Sequence, residues 1–302
     1  MGSDPLATDQ IRWHRTPDQH HRPRDDERRR PEHADAPDTG RPVSLVLDSG
    51  LREAMKALRL TGMLATLDDR LAQARDTPLG HVEILQLLLE DELARRQSAA
   101  LTRRLSRARF ETTQATLEGF DFTANPKLPT AAIRDLAALR WLTNGESIIL
   151  YGPVGVGKTH LAQALGHNAI RRGIDVRFSK TSRLLADLAS GHADHSWDKR
   201  LREYTRPGVL ILDDFAMRAF TDPQADDLYE LTSERAAAGR PMILTSNRKP
   251  TDWYPLFPNP VIAESLLDRL INTSHALHVD GPSYRPRKRP RPGDSTTTDP
   301  TQ

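Results

Sequence analysis

The sequence predicts an α/β fold, a parallel sheet flanked by helices with a small all-helical domain in front of it, and three observations carry that prediction. Residues 147–166 read SIILYGPVGVGKTHLAQALG: an apolar β-branched run, a glycine-rich turn, then Leu161, Ala162 and Leu165 at helical spacing. Downstream, three more apolar runs, DVRFS, VLILDD and PMILTSN, alternate with helical stretches, the pattern of buried parallel strands joined by crossovers. Upstream, residues 51–109 carry helical periodicity.

Whole-chain quantities bound the reading. A chain of 302 residues allows one to two domains and a full α/β core. It contains no cysteine, which excludes disulfides and thiolate metal sites. No apolar run approaches the roughly 18 residues of a membrane helix, and the first residues lack the apolar centre of a signal peptide, so a cytoplasmic protein with no membrane partner is expected. The formal net charge is +2, so any nucleic-acid reading must rest on where arginines cluster.

Taken in order, residues 1–44 are rich in Pro, Arg, Asp and His and are expected to be a disordered polar arm; a basic arm touching DNA is the alternative. Residues 45–109 form the predicted helical domain. Leu51, Met55, Leu58, Met63, Leu64, Leu67 and Leu71 make an apolar stripe interrupted at Thr61 and Gly62, and a second helix is expected over 78–109 with Val82, Leu85, Leu88 and Leu89 inward. Arg95, Arg96, Arg103, Arg104, Arg107 and Arg109 thicken towards its end, either as a solvated face or as a protein-docking or DNA-facing one. Pro126 and Pro129 break the next stretch before a helix from about Thr130; Phe120 and Phe122 sit where a segment ahead of the first strand can cover a base, or are core aromatics.

The turn after the first strand carries the chemistry. Gly152, Gly157, Lys158 and Thr159 fit G-x-x-x-x-G-K-[ST], in which small residues let successive backbone N–H groups close around phosphate oxygens. The phosphate-contacting stretch is Gly152, Pro153, Val154, Gly155, Val156, Gly157, Lys158, Thr159 and His160. The helix over 158–172 points its positive end at the phosphates, Lys158 reaches the β and γ oxygens, and the Thr159 hydroxyl takes one position on magnesium. A nucleoside triphosphate with Mg²⁺ is the predicted ligand.

Further along, a strand over 175–179 precedes a helix over 181–188 capped by Thr181. The run 209–214 ends in two carboxylates: Asp213 is the natural magnesium ligand and Asp214 stands where a carboxylate orients the attacking water. A helix over 223–238 leads to the strand over 241–247, whose Asn247 is placed to feel the γ-phosphate or simply to end the strand; Arg248 is a weaker candidate. In the helix over 260–271, Leu266, Leu267 and Leu270 face inward, and Arg269 either pairs locally with an acid or enters a neighbouring subunit's site. After His278 the chain reads as a proline-broken basic tail.

In order, TLEGFDF, GPVGVGKTHLAQALG, VLILDDF, TSNRKPTDW, ESLLDRL and GPSYR resemble the IstB-type transposition helper ATPases, relatives of the DnaC helicase loaders in the AAA+ class, over about residues 51–285. The resemblance implies an AAA+ ATPase domain over 110–281, ahead of a tail at 282–302. It implies an ATP- and Mg²⁺-dependent homo-oligomer with ATP at subunit interfaces, which binds double-stranded DNA and recruits or stimulates the transposase of the same mobile element. Carried over by position, Gly152, Gly155, Gly157, Lys158 and Thr159 hold phosphate and magnesium, Asp213 and Asp214 are the Walker-B pair, Asn247 is the sensor, and Arg269 is the finger acting in trans. Lys180 and Arg183, after the second strand, lie where related ATPases meet DNA. Many relatives have Asp-Glu where this chain has Asp213-Asp214, whose shorter side chain implies slower hydrolysis. A helicase loader serving a replicative helicase is the alternative on the same fold, and a small-molecule kinase the alternative on a different one.

Overall fold

The computed structural model describes residues 49–77, 79–112 and 114–284. Both expected arms lie outside them, except for residues 282–284. Three helices open the described chain: α1 (Ser49–Ala57), α2 (Thr61–Asp76) and α3 (His81–Ala108). Two short ones, α4 (Thr130–Ala137) and α5 (Arg140–Asn144), precede β1 (Ser147–Tyr151). Then come α6 (Lys158–Arg171), β2 (Val176–Lys180), α7 (Thr181–Ala193), α8 (Trp197–Thr205), β3 (Val209–Asp213), α9 (Asp222–Ala237), β4 (Met242–Ser246), α10 (Pro260–Asn272) and β5 (Ser274–His278).

The five strands form one parallel sheet in the order β2-β3-β4-β1-β5. Alternate residues of each strand enter opposite cores, as the two-residue side-chain period requires. Ile149, Leu210, Leu212 and Leu244 pack with α7, α9 and α10 through Leu184, Leu188, Leu228 and Leu267. Ile148, Leu150, Ile211 and Ile243 pack with Leu161, Leu165 and Trp141 on the other face. β3 and β4 are buried at every position. The central strands were therefore readable as unbroken apolar runs.

The order also decides where the chemistry sits. The chain leaves β1, crosses β4 and β3 to reach the edge strand β2, and returns strand by strand, so β1, β3 and β4 are neighbours with their C-terminal ends at one rim. Open parallel sheets bind ligands at such a switch of direction.

Several elements differ from the sequence expectation. Strand β5, whose pattern is mostly exposed, and helix α8, polar apart from Trp197, Leu201 and Tyr204, were not anticipated. On α3, Leu88 is buried but Val82, Leu85 and Leu89 are exposed, because α2 covers only the face of Leu88 and Glu92. Glu92 takes a core place by accepting the first-turn amides of α2, from Gly62 and Met63, and by pairing with Arg96. On α1 and α2, Met55, Met63 and Leu67 are buried while Leu51 and Leu58 are exposed. Thr181 does not cap α7; its hydroxyl donates to the Asp213 carbonyl at 2.9 Å, tying the start of α7 to the end of β3.

Candidate functional site

The turn from β1 into α6 owes its course to glycine. Gly152 has φ 143° and Gly155 φ 86°, regions closed to most side chains, and a Cβ on Gly152 would lie 2.2 Å from the Val279 carbonyl oxygen. The turn thereby winds tightly onto the N-terminus of α6, whose leading amides face the turn. Lys158, at that N-terminus, is buried, and its Nζ donates to the carbonyls of Gly152 (2.8 Å) and Pro153 (2.7 Å) and to Asn247 Oδ1 (2.6 Å). The residue predicted to grip phosphate and the residue predicted to sense it thus already touch.

Asp213 ends β3 at 2% exposure. Its Oδ1 accepts the Thr159 hydroxyl at 2.8 Å and the Thr245 hydroxyl at 2.5 Å. Burial pushes its carboxyl above the ordinary range, the two hydroxyls pull it back, and the charges of Asp214 and Glu111 add to the upward push. Asp214 follows with φ 56°, a left-handed conformation that Asp tolerates better than most residues, and its amide donates to Thr245 Oγ1 at 3.1 Å. That turn leaves Asp213 inside and swings Asp214 out to the rim. The Nδ2 of Asn247 donates to Met217 Sδ at 3.2 Å.

Lys158, Thr159, Asp214 and Asn247 line a cavity of about 300 Å³, with Val154, Gly155, Val156, Gly157 and His160 of the loop. Its far end is built by Phe120, Asp121, Asn125 and Leu128 on one side and by Pro282, Ser283 and Tyr284 on the other. Phe120 therefore faces the cavity, packed against Phe122 (4.9 Å between ring centres) and His160 (5.4 Å). Sequence reasoning missed Thr245, Asn125 and the 281–284 segment. Thr245 stood inside the TSN block, where only Asn247 was read for chemistry; GPSYR was noted as a block without a role.

Arg269 does not line this cavity. It is exposed on the last turn of α10, where it donates to Ser233 Oγ (2.6 Å) and lies 5.5 Å from the Tyr229 ring centre, both residues of α9. Arg248 is exposed as well. A second cavity, of about 570 Å³, opens beside β2 and gathers Arg109, Arg177, Lys180, Arg183, Lys199 and Arg200. Its acids are partly spent: Glu111 pairs with Lys180 at 3.0 Å, and Arg200 holds Asp187 and Asp194.

The donor set suits magnesium. Among the described residues no group of three or more His, Cys, Asp or Glu could hold a metal. One hydroxyl and one carboxylate, Thr159 and Asp213, meet at the phosphate loop, and Mg²⁺ characteristically takes few protein oxygens and completes its shell with phosphates and water. No helix among the described residues is long and apolar enough to cross a membrane.

Comparison with known proteins agrees with this architecture. The family model described as IstB-like ATP binding protein matches residues 53–291. An ATP-binding protein in an insertion sequence of Mycobacterium tuberculosis is 71% identical over 245 residues, covering 81% of this chain and 97% of that one. The ATP-binding protein of insertion sequence IS21 from Pseudomonas aeruginosa is 33% identical over 243 residues, covering 80% and 91%. Among solved structures, DnaI superposes with a TM-score of 0.50 at 22% identity over 55% of this chain and 92% of its own, a likeness of fold. With a family model spanning most of its length and relatives matched nearly end to end, this chain belongs to the IstB-like ATP-binding proteins.

Proposed function

We propose that this protein binds and hydrolyses ATP with magnesium, assembles on double-stranded DNA as a homo-oligomer, and recruits or stimulates the transposase of its mobile element. The observation that carries the reading is the meeting of Lys158, Thr159, Asp213, Asp214 and Asn247 at one rim of the sheet, delivered by three adjacent strands. The loop of residues 152–160 receives the phosphates through backbone amides, and Lys158 exchanges its carbonyl partners for the β and γ oxygens. Thr159 and Asp213 hold magnesium, which when bound offsets phosphate charge. Asp214, already at the rim, orients the attacking water. Asn247, bonded to Lys158 at the end of β4, senses the γ-phosphate that this lysine grips. Arg269 reaches a neighbouring subunit's site as the finger; its position outside its own cavity is what that role requires.

The six cations beside β2, Lys180 and Arg183 included, support a phosphodiester contact close to Asp213. The division into a polar arm at 1–44, a helical domain at 45–109, the ATPase domain at 110–281 and a basic tail from 282 remains part of this proposal. The test is ATP turnover with and without duplex DNA for the native chain and Lys158→Ala. Turnover stimulated by duplex and abolished in the variant is expected; turnover that survives Lys158→Ala refutes the site, and phosphorylation of a metabolite in place of hydrolysis refutes the function.

A further inference from the structure

We infer that residues 281–284 form a clasp that builds the nucleoside side of the site, with Tyr284 as the contact to the base or ribose and Asn125 as the residue that positions the clasp. The inference rests on the reading that this cavity takes a nucleoside triphosphate.

The clasp is tied to the phosphate loop at two points. The Val279 amide donates to the Tyr151 carbonyl at 2.8 Å, extending the line of β5, and the Tyr284 amide donates to the Gly155 carbonyl at 2.9 Å. Between these anchors the chain presses on the loop closely: a Cβ on Gly155 would lie 2.1 Å from Ser283 Oγ, as one on Gly152 would strike Val279. The loop glycines are therefore required twice, once by their own backbone and once by the segment lying against them.

A third tie comes from the opposite wall. Asn125 is 6% exposed, its Nδ2 donates to the Asp280 carbonyl at 2.6 Å, and its Oδ1 accepts the Lys127 amide. Gly281, at φ 142°, leaves the space that the Asn125 amide fills; a Cβ there would sit 2.1 Å from Nδ2. Asn125 and Gly281 thus make a keyed joint that brings the two walls of the cavity's far end together.

The chemistry of that end matches a nucleoside rather than a phosphate. Among the described residues lining the cavity, Lys158 is the one Lys or Arg, and it sits at the loop. The far end presents Phe120, Leu128, Pro282 and Tyr284, and Tyr284 keeps 36% of its surface exposed rather than entering the core. Aromatic side chains are a sequence-tolerant platform for a planar base, which stacks on the ring face.

The experiment compares two ligands on the full-length chain, MgATP and magnesium tripolyphosphate, by calorimetry and by the shift each gives in unfolding temperature at millimolar concentration. Tyr284→Ala should weaken MgATP about tenfold or more while leaving the tripolyphosphate response unchanged. Tyr284→Phe should keep most of the affinity, and Asn125→Ala should move MgATP in the same direction as Tyr284→Ala. Lys158→Ala should lose both ligands. Undiminished MgATP affinity in Tyr284→Ala overturns the assignment, as does a parallel loss of both ligands, which would make the clasp a support for the phosphate loop alone. A native chain that responds to neither ligand removes the nucleotide site itself, and the clasp with it.

Discussion

Replacing Asp213 by Asn should raise stability while abolishing function, and the structure shows why the two separate. Asp213 carries its charge at 2% exposure, and burial is the largest influence on its carboxyl, raising its pKa above the ordinary 3.8. Both hydroxyl bonds, from Thr159 and Thr245, go to one oxygen, Oδ1, which an Asn carbonyl replaces with both bonds kept. The substitution thus removes a buried charge while keeping both bonds at Oδ1, an expected gain of about 1 kcal/mol, or about 2–4 °C in unfolding temperature for a chain of this size. Because the native pKa is raised, the folded state holds a proton that the unfolded chain has already released, so native stability falls as pH climbs from 3.8 through the native value. The advantage of Asp213→Asn is therefore largest above the native pKa and closes as the pH falls towards 3.8. Thermal unfolding followed by circular dichroism from about pH 4 to about pH 8 measures both, and added MgATP should raise the unfolding temperature of the native chain more than that of the variant. A variant less stable at neutral pH, or a gap that does not change with pH, refutes the reasoning.

Three further outcomes are expected. Arg269→Ala should keep ATP affinity near native but lower turnover on the order of a thousandfold if the arginine acts across subunits, and mixing it with Lys158→Ala should restore part of the activity; a mixture no more active than its components marks a local arginine. Arg235 is 1% exposed, with its pKa pulled by burial to about 9, and donates to the carbonyls of Tyr204, Thr205, Pro207, Gly208 and Pro241 at 2.7–3.4 Å. Arg235→Met should cost about 3–5 kcal/mol in urea unfolding, and a loss below about 1 kcal/mol would show that the carbonyls find other donors. His167 lies 4.4 Å from the Phe110 ring centre with Nε2 buried and unpaired, and burial holds its pKa below 6.5. Stability should therefore fall as pH drops below 6.5 towards the native value, and His167→Phe should flatten that dependence when unfolding is followed across the range; an unchanged slope assigns the effect elsewhere.

What the sequence made legible divides along a physical line. Spacing within one segment was readable: the phosphate loop, the acids closing β3 and the asparagine after β4 each lie in one local motif at the end of a buried strand, and sheet order brings the three together. Apolar periodicity marked a stripe on α3 but not which part of it has a partner, so Val82, Leu85 and Leu89 were expected inside and stand outside, while Glu92, an acid, is buried because it closes the N-terminus of α2. Strand β5 was illegible for the converse reason. SHALH is exposed or half-buried at every position, and what makes it a strand is its register with β1, from Ser147 opposite Ser274 to Tyr151 opposite His278.

The same division explains why half of the cavity was missed. Its phosphate end is encoded in about ten consecutive residues, whereas its far end joins Asn125 to Asp280 across 155 positions. Neither Asn125 nor Gly281 has local spacing that announces a site, and each has a bland reading alone, Asn as a turn residue and Gly as a bend. The pairing becomes visible only when β5, lying beside β1, returns the chain to the phosphate loop and Val279 bonds Tyr151. An edge strand with little core of its own thus acts as the guide that carries 281–284 to Gly155. Shortening β5 by one residue would shift Gly281 off Asn125 and should weaken MgATP with the sheet core intact; unfolding temperature near native with ATP affinity reduced is the expected pair of results, and unchanged affinity would show that the clasp finds its place without the strand.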